Sequence, residues 1–438
     1  MNSLGYAAAV GQAELVRRIG RVTQFYGLVL EASGPDAFLG EVCEVYSRGH
    51  AAPVLAEVVG IREGRVLLMP YGELRGISMG AEVIARGRPL QVPAGVNFLG
   101  RVVDAFGNPI DGMPAPHADA MVSLREDAIN PLARPPIREV LESGVRAIDT
   151  LLTLGKGQRV GIFSGSGVGK STLLGMLARN VKADISVIAM VGERGREVRE
   201  FIDRSLGPEG LERSVLLVST SDQPALMRCN AAYAATAMAE YFRGQGADVA
   251  LIMDSVSRFA VAQREIGLAV GEPPTARGYT PSVFASLPRL LERCGTSEEG
   301  GSITAFYTAL VEGDDLSGDP VVDAVRSVLD GHIVLSRELA DQRHFPAIDI
   351  LRSISRLMSV LTSPAEQDLV RRTVVLLHRL ERSRALIDIG AYKSGTNPEL
   401  DRALALAPEL DRFLTQDVAE AVPRGQALQL LQAIVKEK

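Results

Sequence analysis

Residues 164–172 read Ser-Gly-Ser-Gly-Val-Gly-Lys-Ser-Thr and follow the apolar run Val160-Gly161-Ile162-Phe163 without a break. A strand that passes through a glycine-rich turn into a helix opens a parallel βαβ unit, so the chain has to build an α/β layer around this point. Gly165, Gly167 and Gly169 let the backbone curl until its N–H groups point inward, and the helix starting near Lys170 adds its positive N-terminal end. Such a cradle suits phosphate oxygens. Lys170 is placed to reach the outer phosphates of a nucleotide, and the Ser171 hydroxyl to ligate Mg²⁺. Ser166, Val168 and Thr172 complete the loop. Ser164 stands where the full pattern has glycine, the one departure. An ordinary glycine turn has no need of Lys-Ser between a strand and a helix, so we read a nucleoside-triphosphate site.

At 438 residues the chain exceeds one ordinary domain. Residues 20–95 carry short strand-like runs, Gly27–Leu30, Glu41–Val45, Val54–Val59 and Val66–Met69, closely punctuated by Gly, Pro and charge, as in a small antiparallel β-barrel. Residues 1–19 before them read as a helical extension, and residues 96–145, with their proline-rich end, as a linker. Residues 146–362 alternate apolar strands with helical stretches: Arg159–Phe163, Ile185–Val191, Val215–Ser219, Val249–Met253 and Ile303–Tyr307. This alternation predicts a parallel sheet with helices on both faces and a site outside the strands' carboxyl ends. Residues 363–438 turn helical behind Ser363-Pro364-Ala365-Glu366, a capping box with proline at the first helical position.

Composition removes several function classes. The net charge of −6 leaves no general basic footprint for nucleic acid. Cys43, Cys229 and Cys294 form no CxxC pair, which argues against disulfides or zinc and for a reducing cytoplasm. The N-terminus lacks the basic residues of a signal peptide, and no run of eighteen uncharged apolar residues is long enough to span a bilayer.

Three further groups carry chemistry. The apolar strand Ala250-Leu251-Ile252-Met253 ends in Asp254, a carboxylate suited to order a Mg²⁺ shell. Glu193, in Val191-Gly192-Glu193-Arg194-Gly195-Arg196-Glu197, follows the second strand and is the candidate to polarise an attacking water. Arg194 is expected to orient that carboxylate, and Glu197 to reach the metal's water shell. Phosphoryl transfer often needs an arginine as well. Arg326, Arg337, Arg343, Arg352 and Arg356 follow the last of these strands, and composition alone does not choose among them.

The chain resembles the hexameric ATPase family that includes the catalytic subunits of rotary ATP synthases. The resemblance is carried by Pro346-Ala347-Ile348-Asp349-Ile350-Leu351-Arg352-Ser353-Ile354-Ser355 and by Gly100-Arg101-Val102-Val103-Asp104-Ala105-Phe106-Gly107-Asn108-Pro109. It covers nearly the whole chain, in the order barrel, RecA-type ATPase domain, helical C-terminal domain. Within the family the chain is most similar to bacterial type III export ATPases, the flagellum-specific ones in particular. The motifs are Ala262-Gln263-Arg264-Glu265-Ile266-Gly267-Leu268-Ala269, Gly271-Glu272-Pro273-Pro274 and Gly278-Tyr279-Thr280-Pro281-Ser282-Val283-Phe284. In that branch a small residue often stands at the position of Ser164.

The resemblance implies ATP and Mg²⁺ as ligands, Arg356 as an arginine finger, and Phe345 as an aromatic stacked on adenine. One chain then holds both Glu193 and Arg356, which favours a homohexameric ring with complete sites at every interface. It further implies cytoplasmic location with docking at the inner-membrane export apparatus. The partners implied are a stator-like regulatory dimer, a central coiled-coil stalk, the export gate and chaperone–cargo complexes, with no nucleic acid. Other readings are the equivalent ATPase of a virulence injectisome, a rotary synthase subunit, an RNA translocase of the termination-factor type and a nucleotide-binding scaffold. The RNA translocase would use aromatics such as Phe25, Tyr26 and Phe38 in the barrel.

Overall fold

The computed structural model describes residues 17–46, 52–311 and 318–436. Most of the N-terminal extension expected to be helical lies outside them. Six antiparallel strands follow: β1 (Ile19–Tyr26), β2 (Val29–Ser33), β3 (Glu41–Tyr46), β4 (Val54–Arg62), β5 (Arg65–Pro70) and β6 (Glu82–Pro89). They close into a barrel in the order β1-β2-β5-β4-β3-β6. Val22, Leu30, Cys43, Val45, Val58, Leu68 and Val83 fill its interior, and closure removes the open strand edges that a sheet this small would otherwise expose. The first and last strands were absent from the sequence reading because Arg21, Gln24, Arg86 and Arg88 mask their alternation. These two pair with each other and seal the barrel. Gly20 permits the seal: a Cβ there would stand 2.1 Å from the Gly34 carbonyl carbon.

A ribbon of β7 (Gln91–Ala94) and β9 (Ala120–Ser123) leads out of the barrel, and between them β8 (Arg101–Val103) joins the edge of the central sheet. A short pair, β10 (Val140–Leu141) and β11 (Leu154–Gly155), precedes that sheet's own strands. These are β12 (Arg159–Ser164), β13 (Ile185–Val191), β14 (Ser214–Ser219), β15 (Asp248–Asp254), β16 (Gly295–Thr296), β17 (Ser302–Leu310), β18 (Gly331–Leu335) and β19 (Ile348–Ser355). The order is β19-β18-β12-β17-β15-β13-β14-β8, with β16 paired to β17. From β18 to β8 the neighbours are parallel, as alternation predicted, and their near-continuous apolar runs fit strands covered on both faces. The sheet is nevertheless mixed, because β19, which carries most of the signature at 346–355, runs antiparallel to β18.

The C-terminal helices Pro364–Asp388, Pro398–Leu414 and Arg424–Val435 pack on one face of this sheet. Leu369, Val370, Ala403, Phe413 and Leu431 share a core with Leu173, Leu177 and Ile348. The predicted capping box is present: Ser363 Oγ accepts from the Glu366 N–H, and Glu366 Oε2 from the Ser363 N–H at 2.7 Å. Phosphate loop and C-terminal helices therefore share one packed layer, which bears on the site below.

Candidate active site

β12 ends at Ser164, and the helix Lys170–Asn180 begins six residues later. Gly167 and Gly169 take φ of 77° and 91°, backbone that side chains resist. Ser164 does not; it is still part of the strand, paired with Leu310 and Leu335 and 2% exposed. Its departure from glycine is thus free of backbone strain.

Parallel register brings the strands' carboxyl ends together. Lys170 Nζ donates to Asp254 Oδ1 and lies 3.6 Å from Glu193 Oε1. Thr308 Oγ1, on β17, donates to the same Asp254 oxygen at 2.7 Å. Asp254 and Glu193 are 3% and 6% exposed, so two carboxylates share one ammonium in a largely dry site. Burial first, and then the charge of Asp254, push the Glu193 carboxyl up to about 7, while Lys170 pulls it down. A carboxylate poised near neutrality suits a general base. Glu193 Oε1 also has no hydrogen-bond partner, which leaves an acceptor for a water.

Glu197 hydrogen-bonds Glu193, and that bond is the main cause of its own lowered pKa. Arg194 departs from expectation. Its side chain is 72% exposed and lies 3.6 Å from Glu197 rather than on Glu193, because the Glu193 carboxylate points into the sheet's crevice and Arg194 turns outward at the helix start. The cation facing Glu193 from the neighbouring element is Arg258, whose stem packs on Gly192 and whose buried Nε has no partner. Sequence reading passed over Arg258 and Thr308. Arg258 had a signal, since it lies one helical turn beyond Asp254 on the helix Val256–Ala269.

Phe345 brings its ring to the loop: a Cβ on Gly169 would lie 3.4 Å from it. Arg337 Nη2 donates to the Ser166 carbonyl at 3.1 Å, so it is the arginine of the late group that touches the loop. Arg356 does not. Ser164 stands opposite Leu335, which pairs with Ile348, whereas Val160 stands opposite Gly331, which pairs with Ser355. Arg356 therefore follows the far, amino end of the sheet, roughly 13 Å along the strand from its own phosphate loop. It is exposed there, its N–H bonded to the Asp330 carbonyl at 3.0 Å.

Comparison with known proteins bears on this arrangement. Residues 144–355 match the nucleotide-binding domain of the ATP synthase alpha/beta family, residues 22–87 its beta-barrel domain, and residues 362–433 the T3SS EscN ATPase C-terminal domain. The flagellum-specific ATP synthase of Bacillus subtilis is 55% identical over 405 residues, covering 92% of each chain. The type 3 secretion system ATPase of Xanthomonas euvesicatoria is 48% identical over 421 residues, 96% of this chain and 95% of that one. Among solved structures, the assembled ATPase EscN in complex with its central stalk EscO, from enteropathogenic E. coli, superposes with a TM-score of 0.88 at 42% identity. That match covers 95% of this chain and all of the other. With its barrel, phosphate loop and C-terminal helices all matched in order, the chain belongs to the ATP synthase alpha/beta family, in the branch of flagellar and type III secretion ATPases.

Proposed function

We propose that the chain is a Mg²⁺-dependent ATP hydrolase that works as a homohexameric ring and energises flagellar type III protein export. The observation that carries this reading is the split between a buried Lys170–Asp254–Glu193 cluster and an Arg356 on the opposite end of the same sheet. In a ring, Arg356 of each subunit faces the site of the next.

Residues 164–172 and Lys170 hold the phosphates, and Phe345 stacks on adenine. The donors available to a metal are hard oxygens: the Ser171 hydroxyl, the Asp254 carboxylate and, through water, Glu197. Among the described residues no group of three or more His, Cys, Asp or Glu converges on one point. That pattern fits Mg²⁺, which takes one or two carboxylates and completes its shell with substrate phosphate and water. When bound, Mg²⁺ neutralises phosphate charge. Lys170 then trades its carboxylate partners for phosphate, and Glu193, freed of that cation and held by Arg258, accepts a proton from the attacking water. Arg356 of the adjoining subunit stabilises charge on the equatorial oxygens.

Flagellar export is favoured over an injectisome by the 55% identity to a flagellar relative against 48% to a secretion-system one. The central stalk EscO in the EscN complex supports a stalk partner for this chain, which on our reading is a coiled coil meeting the C-terminal helices. A stator-like dimer, the export gate and chaperone–cargo complexes complete the proposed set. None of the described helices is long and apolar enough to cross a membrane. Docking at the inner membrane through those partners is part of the same proposal. We assign residues 20–95 to the barrel, 146–362 to the ATPase domain and 363–438 to the helical domain.

The test is turnover against protein concentration for wild type, Arg356→Ala, Glu193→Gln and an equal mixture of the two variants. Shared sites give inactive single variants and partial recovery in the mixture, since some interfaces pair an intact Glu193 with an intact Arg356. Turnover that is independent of concentration and survives Arg356→Ala would remove the ring mechanism. RNA should leave turnover unchanged.

A further inference from the structure

The loop after the helix Pro398–Leu414 belongs to the C-terminal helices, yet its polar contacts lie on the nucleotide domain. Gln416 is 5% exposed. Its backbone N–H donates to the Phe345 carbonyl at 2.9 Å. Its side-chain Nε2 donates to the Gly144 and Glu420 carbonyls, each at 2.8 Å, and its Oε1 accepts from the Arg146 N–H at 2.8 Å. Both ends of the amide are satisfied, which locks one rotamer in a buried place where a broken bond is costly.

Neighbouring contacts tighten the same loop. Arg146 donates through Nε to the Phe413 carbonyl at 3.0 Å, through Nη2 to that of Thr415, and through Nη1 to Glu420 Oε1 at 2.5 Å. Arg179, in the last turn of the helix that Lys170 begins, donates to the Val418 carbonyl at 2.6 Å. One loop of the helical domain is thereby tied to Phe345, to the start of the nucleotide domain and to the far end of the phosphate-loop helix.

We propose that Gln416 is a positioning residue for the nucleotide base, holding Phe345 at its distance from the phosphate loop. This rests on the reading above that Phe345 stacks on adenine. A stacking wall adds affinity only when it is ordered before the ligand arrives. Phosphate is held separately, by the loop backbone and Lys170, and needs nothing from Gln416. Base and phosphate binding should therefore respond differently when Gln416 is changed, and base binding becomes sensitive to where the C-terminal helices sit.

The experiment titrates ADP and pyrophosphate, each with excess Mg²⁺, into the full chain carrying wild-type sequence, Gln416→Leu, Gln416→Glu or Phe345→Ala. Base stacking is a strong part of nucleotide affinity, so Gln416→Leu should weaken ADP about tenfold while leaving pyrophosphate unchanged. Gln416→Glu keeps the acceptor for the Arg146 amide and should fall between. If Gln416→Leu does not fold, Gln416→Glu decides by the same ratio of the two ligands. Equal losses for ADP and pyrophosphate mean general damage and overturn the proposal. An ADP loss in Phe345→Ala with none in either Gln416 variant overturns it while leaving the stacking reading intact. No ADP loss in Phe345→Ala sinks the stacking reading itself.

Discussion

At the carboxyl end of the central sheet, Lys170, Asp254, Glu193 and Arg258 crowd into a buried cluster, whereas at the amino end Arg356 stands exposed beyond β19. The first end has two carboxylates around one lysine and a glutamate pushed up to about 7. The second offers a guanidinium and no carboxylate partner that we find among the described residues. Burial explains the contrast. Charges in a dry crevice are tuned by desolvation and by each other, while an exposed guanidinium stays hydrated and reachable. The difference teaches that one sheet carries two unlike ends, and on the ring proposed above each end would be completed by another copy.

Four experiments break or sharpen that contrast. The largest effect is expected from Arg356→Ala, which should lower kcat by about 10³–10⁵-fold, the range for an arginine finger, with thermal stability unchanged because the side chain is exposed. A stable variant with near-normal turnover would mean the amino end contributes nothing. Glu193→Gln comes next, with a loss of about 10²–10⁴-fold in turnover and nucleotide binding retained; an equilibrium titration beside the assay separates the two.

A smaller effect is the pH profile. If Glu193 is the base proposed above, it acts only when ionised, and burial with the charge of Asp254 pushes its carboxyl up to about 7. Below that value kcat/KM should therefore fall about tenfold per pH unit, and above it should level off. The sign for stability is the reverse: a carboxyl whose folded pKa is raised favours the folded state when protonated, so this contribution is present at low pH and lost as pH rises through about 7. A profile flat from pH 5 to 8 would show that another group limits the reaction. The smallest effect is Ser164→Gly. Since residue 164 is ordinary strand backbone, glycine should leave ATP affinity within about twofold and cost roughly 0.5–1 kcal/mol of stability. A large gain in affinity would show that serine there is a real handicap.

Much of the architecture was legible because its signals are local. The strand, glycine turn and helix around Lys170 are contiguous, and so is the capping box at Ser363. The five core strands announce themselves as apolar runs, since a strand covered on both faces carries nothing polar to hide it. Of the central sheet, β8, β16, β18 and β19 escaped notice, and of the barrel β1 and β6, which are half-exposed and arginine-bearing. The last two become strands through pairing with each other, which no window of sequence contains.

The site divides along the same line. Lys170, Asp254, Glu193 and Phe345 could be named from motif and position, and the fold gathers them at one crevice. Arg194 was expected to orient Glu193, but side chains adjacent at a helix start diverge; the cation beside Glu193 is Lys170 at 3.6 Å, with Arg258 facing it from another element. Gln416 had no signal at all. Its contact with Arg146 joins residues 270 positions apart.

By itself, then, the sequence determined the phosphate cradle, the alternation that demands a parallel sheet, and the order of barrel, nucleotide domain and helices, all through short-range backbone preference and apolar periodicity. Tertiary structure alone decided that β19 runs backward and carries Arg356 to the end opposite its own loop, that Thr308 and Arg258 face the acidic pair, and that Gln416 ties Phe345 to the C-terminal helices. The reason is physical: such contacts depend on strand order and on which buried polar groups must find partners, and both are settled only when distant segments pack.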